Sequence, residues 1–519
     1  MIDPAGGARP PGRRDMLGMV ALVAALAIAT IAWGERIGVN GGEGWDGRAY
    51  AAWARDFPGE VLGHGVTAYQ SQRVTPSAIV YYAMAALGIA HTRAQVIAAF
   101  QVLDALALIA TALLLYQIAR TLAWSRAAAW AAFAAVMFSF AAARNALYYP
   151  TLTDPAAIML GAALVSAYLA RRPIAIGAVA VAAAGTWPAL LPLALAALVL
   201  PRPGEPLPEP SGGWAGKWAE RWTERWGGRW AGRWARRLAA RRVQLAAIIV
   251  AAAGGLITIV GLRSGLGHPY HPSVLAPAHR ELFAVTFATC AATVAAGAYL
   301  VARQPPTWAL AAYVRGLRRW QTALAIVVAA VIVVASSLWV RRVGTQGPGI
   351  TVDEFKAMWA ESALRAPLWG AVHHVVYFGP IVLVAIGAWP RVAAVVARWG
   401  PAAVAIAAML VVLSLATESR VMSHLFVFVV VVAIEATAAR WTPRRALVFA
   451  GLAAVWSKLW WRIGYAQPHD AWSWPDQRFT MHHGPWASDQ AFLAHLAAAL
   501  VSAVVLVVVL RREPPSPAT

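Results

Sequence analysis

Residues 74–90, VTPSAIVYYAMAALGIA, decide how the chain threads a membrane. The run is apolar but about 17 residues long, short of the roughly 20 that cross a bilayer. It opens on Thr75-Pro76, a helix start, and carries Tyr81-Tyr82, an aromatic pair suited to the membrane–water boundary. Reading it as a span would put Arg171-Arg172 and the basic segment 217–242 outside, against the bias of Lys and Arg toward cytoplasmic loops. An interfacial or re-entrant helix on the outer face is expected instead.

The rest follows by alternation. Spans are expected at 16–33, 94–118, 127–142, 156–170, 173–186, 189–200, 243–262, 281–301, 321–340, 367–388, 401–416, 421–439, 446–461 and 491–510. This is an all-α polytopic membrane protein of about 14 transmembrane helices with outer-face juxtamembrane helices and both termini cytoplasmic. Composition agrees: of 519 residues 60% are hydrophobic and 13% charged, with a mean hydropathy of +0.58, which excludes an ordinary soluble enzyme. The formal charge of +21 would suggest a nucleic-acid partner in a soluble protein. On this threading the cytoplasmic segments hold 28 Lys/Arg against 7 Asp/Glu, so the surplus orients the protein and no nucleic-acid partner is expected. The single cysteine, Cys290, excludes a disulfide framework.

Four regions result: a membrane module at 1–200 with its first outer loop at 34–93, a cytoplasmic segment at 201–242, a second membrane module at 243–510 with outer loops at 263–280, 341–366 and 462–490, and a cytoplasmic tail at 511–519. Segment 201–242 begins as a Pro/Gly linker and continues WAGK WAER WTER WGGR WAGR WARR over 214–237. On a helix the Trp residues from Trp214 to Trp234 would drift about 40° per step beside a parallel band of Lys and Arg. That pairing suits the headgroups of an anionic inner leaflet, and membrane lipids are its expected partner.

Two acids fall in the first two outer loops. Asp46 lies in GGEGWDGRAYAAWARDFP, residues 41–58, with Tyr50 one turn on. Asp154 lies in ARNALYYPTLTDPA, residues 143–156, with Arg144, Tyr148 and Tyr149; it also reads simply as an N-cap ahead of Pro155. Glu418 and Arg420 occupy a very short connection between spans, where charge beside hydrocarbon is costly. The last outer loop offers His482, His483 and Trp486 as substrate contacts, aromatic faces beside polar groups being suited to sugars and isoprenoid chains. No histidine spacing fits zinc, and no metal ligands are assigned.

The string Trp45-Asp46-Gly47-Arg48-Ala49-Tyr50 is similar to that of GPI-type mannosyltransferases and their bacterial relatives. Leu152-Thr153-Asp154-Pro155 resembles the second-loop Asp of lipid A aminoarabinose transferases and protein O-mannosyltransferases. With the outer helix introduced by Arg73 and Pro76, residues 15–200 resemble the GT-C superfamily of integral-membrane glycosyltransferases. The resemblance implies a GT-C-like fold in the bacterial cytoplasmic (inner) membrane. It also implies inverting transfer of a sugar from a polyprenyl-phosphate donor to a glycan, lipid or protein acceptor at the extracytoplasmic face. Asp46 would be the base, Asp154 would assist or orient the acceptor, and Arg73, Arg144 and Arg420 would meet the phosphate. No cofactor is assigned; a divalent metal is compatible with the family, although this chain has Asp46-Gly47 where many members carry an acidic pair. The competing readings are a transporter or lipid flippase, suggested by the intramembrane acids Asp104 and Glu435, and a GT-C-like scaffold without activity.

Overall fold

The computed structural model describes residues 10–200, 281–302, 320–345, 363, 365–416, 418–461 and 489–511. The Trp/Arg repeat, the expected span at 243–262 and the loop containing His482, His483 and Trp486 lie outside the described residues.

The N-terminal half is built from α1 (Arg13–Trp33), α2 (Gly47–Arg55), α3 (Thr75–Ala86), α4 (Arg93–Thr121), α5 (Arg126–Met137), α6 (Ala146–Tyr148), α7 (Asp154–Leu169), α8 (Pro173–Ala184) and α9 (Leu191–Val199). The C-terminal half contributes α10 (Phe283–Ala302), α11 (Trp320–Val343), α12 (Trp369–Phe378), α13 (Ile381–Gly387), α14 (Trp389–Trp399), α15 (Pro401–Leu413), α16 (Ser423–Ala436), α17 (Pro443–Trp456) and α18 (Asp489–Val509). Among the described residues the only strands are β1 (Val66–Thr67) and β2 (Gly344–Thr345), a parallel pair tying the segment between α2 and α3 to the end of α11. Local signals set the starts: Thr92 Oγ1, Ser125 Oγ and Thr442 Oγ1 each accept a first-turn backbone N–H.

Five described helices are long and apolar enough to cross a membrane, seven if each bent pair counts as one span. This makes the chain a polytopic helical protein of membrane composition, and among the described residues the expected spans are not uniform. The expected span 127–142 breaks after α5 and turns by 53°, and 367–388 is cut at Gly379-Pro380. The stretch expected as the cytoplasmic loop 389–400 is α14, turned 87° from α13. Five further apolar helices, including α7, α8 and α15, have 10–17 residues. A short helix persists here because its neighbours, and not its own length, bury it: α7 is almost wholly enclosed. The run 74–90 yields α3, 12 residues or about 18 Å, too short to span.

One hydrophobic core, reaching in sequence from Met19 to Leu510, is shared by both halves. At its centre α7 packs against α4 on one side and α16 on the other. Gly161 permits the second contact: a Cβ there would lie 2.1 Å from the carbonyl oxygen of His424. Bringing α16 this close to α7 sets Arg420, just before α16, beside the start of α7.

Candidate active site

The loops bearing Asp46 and Asp154 are bolted together. The backbone N–H of Gly47 donates to the Tyr149 hydroxyl at 3.1 Å, and Thr151 Oγ1 donates to the Glu43 carbonyl at 2.8 Å. Gly47 has to be glycine, since a Cβ would meet Thr151 Oγ1 at 1.8 Å; Gly44, at φ +72°, turns the chain against the Tyr149 ring. Glu43 is itself buried and held by Arg55 and Arg93. Asp46 is thereby carried to the lip of α7.

Arg420 joins the two acids. Its guanidinium lies 3.0 Å from Asp46 Oδ2 and 3.7 Å from Asp154 Oδ1, with Glu418 Oε1 at 3.8 Å. The acids differ in access: the Asp46 side chain is 56% exposed, that of Asp154 1%. Asp154 does not cap its helix. The helix begins at Asp154 itself without a side-chain cap, and its Oδ1 receives hydrogen bonds from Tyr377 at 3.4 Å and Ser423 at 3.3 Å.

Arg73 completes the cluster differently. Its guanidinium is held between the rings of Tyr69 and Trp187, 4.6 and 4.5 Å from their centroids, and is buried. The Trp187 indole is fixed by donating to His424 Nδ1 at 2.8 Å. Among the described residues no carboxylate pairs with Arg73, and its Nε makes no hydrogen bond. Directly after Arg73 the chain lines a cavity of about 720 Å³ between α3, α8 and α11, walled by Val74, Ile79, Tyr82, Val331, Ala335 and Trp339. Trp339 anchors this wall by donating to the Ser71 carbonyl at 2.8 Å.

Burial, against the opposing charge of Arg73, pushes the Tyr50 hydroxyl up to about 12, and burial likewise raises Tyr69 and Tyr149. These phenols are hydrogen-bonding groups at neutral pH, not bases. Burial also holds the Glu418 carboxyl above the usual carboxylate range, against the pull of Arg420. The cluster does not suit a divalent metal. A guanidinium occupies the place among the carboxylates where a cation would sit, and the described residues contain no group of three or more His, Cys, Asp or Glu able to hold one.

Of the residues singled out from sequence, Asp46, Asp154, Arg73, Arg420, Glu418, Tyr50 and Tyr149 belong to this one cluster. Arg144 is engaged elsewhere. Its guanidinium is 2.5 Å from Glu35 and 5.5 Å from the Tyr148 ring, so Arg144 and Tyr148 pin the entrance of the first loop instead of joining Arg420. Glu435, expected within the membrane, lies near the end of α16 and pairs with Arg398 at 3.3 Å. Asp104 remains buried in α4 with no ion pair among the described residues. Tyr69, Trp187, Tyr377, Ser423 and His424 were not anticipated. Trp187 had a signal, the helix break Gly185-Thr186-Trp187-Pro188, and Ser423 follows Arg420 by one turn; the others had none.

Comparison of the chain with protein-family models, curated proteins and solved structures gives no match.

Proposed function

We propose that the chain is a membrane glycosyltransferase of the GT-C type. In this reading it moves a sugar from a polyprenyl-phosphate donor to an acceptor at the extracytoplasmic face of a bacterial inner membrane, both termini being cytoplasmic. The observation that carries the reading is the convergence of Asp46 and Asp154 on Arg420, next to an aromatic-held Arg73 that has no carboxylate partner among the described residues and directly precedes the wall of an apolar cavity. Each part has a task. The cavity suits an isoprenoid chain, and Arg73 offers its charge to the donor phosphate.

Asp46, the accessible acid, takes the acceptor hydroxyl proton as that oxygen attacks the anomeric carbon. The bond from that carbon to the phosphate oxygen breaks on the opposite face, and the electron pair leaves with the phosphate, whose charge Arg73 and Arg420 offset. Configuration inverts and the proton ends on Asp46.

The test is incubation of purified protein with labelled polyprenyl-phosphate sugars, following label release and transfer by the wild type and Asp46→Asn. Asp46→Asn should lose about 10²- to 10⁴-fold in rate. Equal release by both proteins removes Asp46 from the chemistry, and movement of intact label across vesicles without release establishes the transporter or flippase reading instead.

A further inference from the structure

Helix α12 touches the cluster twice, through residues no sequence motif marks. Tyr377 is fully buried and its hydroxyl accepts a hydrogen bond from Asn145 Nδ2 at 3.2 Å. An amide nitrogen only donates, so the phenol's own proton is directed onward, to Asp154 Oδ1 at 3.4 Å. One turn earlier, His374 Nε2 lies 2.9 Å from the Ser414 carbonyl, which only accepts; Nε2 therefore carries the proton and Nδ1 accepts from Ser419 Oγ at 2.9 Å. Ser419 sits between Glu418 and Arg420.

The consequence for Asp154 is asymmetric. Tyr377, Ser423 and Arg420 Nε all address Oδ1, while Oδ2 is buried and makes no hydrogen bond among the described residues. We infer that Tyr377 and His374 are positioning residues: Tyr377 commits Asp154 Oδ1 to the protein and reserves Oδ2 for a substrate hydroxyl, while His374, through Ser419, sets the reach of Arg420 to both acids. The assignment rests on the glycosyltransferase reading for the identity of that hydroxyl, but not for the state of the carboxyl.

The experiment separates the two. Charged and titratable groups facing Asp154 are Arg420, Arg73, Asp46, Glu418 and Asp104 with Tyr377 itself, and all but the last are unchanged in Tyr377→Phe. The Asp154 carboxyl is titrated by infrared difference spectroscopy, its band identified by its loss in Asp154→Asn, in wild type and Tyr377→Phe; no substrate is needed. Losing a donor to the ionised form should move the titration up by about one pH unit. In the transfer assay the acid limb of the kcat profile should move with it, with kcat down about 10-fold and KM for the donor unchanged. His374→Asn, which keeps an acceptor for Ser419, should retain more kcat than His374→Leu. An unmoved Asp154 band, or a fall in kcat and melting temperature with an unmoved acid limb, overturns the positioning role. A moved band with no sugar transfer by the wild type supports the role and overturns the glycosyltransferase reading alone.

Discussion

The two ends of the bundle use acids and arginines in opposite ways. At the end bearing Glu435, two described acids are each matched to one arginine and one indole: Asp15 to Arg126 at 2.5 Å and Trp130 at 2.9 Å, Glu435 to Arg398 at 3.3 Å and Trp124 at 2.7 Å. Both arginine side chains are 66% exposed. Such pairs are pins at a helix boundary. At the other end, about 18 Å along α16, three carboxylates share the buried Arg420, and among the described residues Arg73 pairs with none and Asp154 keeps an unbonded oxygen. A polar site paired one to one has nothing left for a ligand. An unequally paired one is held in place by the fold around it, and unequal pairing within a buried site is where chemistry is expected.

Neutralising one guanidinium at each end should break this contrast most visibly. Arg420→Gln leaves buried carboxylates uncompensated and should cost about 3–5 kcal/mol, whereas Arg126→Gln should cost about 0–1 kcal/mol; thermal unfolding in one detergent, with equal losses, would erase the distinction. The same contrast holds for activity, with Asp15→Asn expected to leave transfer within about twofold of wild type where Asp46→Asn loses about 10²- to 10⁴-fold. Next in size is Gly161→Ala, which drives a methyl group into the His424 carbonyl and should cost about 1–3 kcal/mol while weakening the Arg420 cluster alone. Its check is the donor KM, which should rise because His424 orients Trp187 over Arg73.

The smallest effect is a pH dependence. Because the folded-state pKa of Glu418 is raised, its contribution to stability is complete below the ordinary carboxylate value and is lost as pH rises through the folded one. Glu418→Gln should therefore raise the melting temperature near about pH 8 and leave it unchanged near about pH 4. No such crossover should accompany substitution of Arg398.

The candidate site was legible because Asp46 and Asp154 stand in short polar strings between apolar runs, and Glu418-Ser-Arg420 interrupts a third. Arg144 shows the limit of that reading. It occupies the same loop as Asp154, but two nearby charges in sequence need not face one another, and Glu35 claims it. Tyr377 was illegible because a tyrosine in an apolar helix looks like core until its hydroxyl is placed against Asp154.

By itself, the sequence carried the membrane composition of the chain, whose long apolar runs form apolar helices, and the expectation that 74–90 makes a separate short helix, which α3 is. Only the tertiary structure decided which charges meet. Asp46 and Arg420 are 374 positions apart, and their contact depends on α7 and α16 closing at Gly161 and on two loops locking at Gly47, contacts between surfaces that no local pattern encodes.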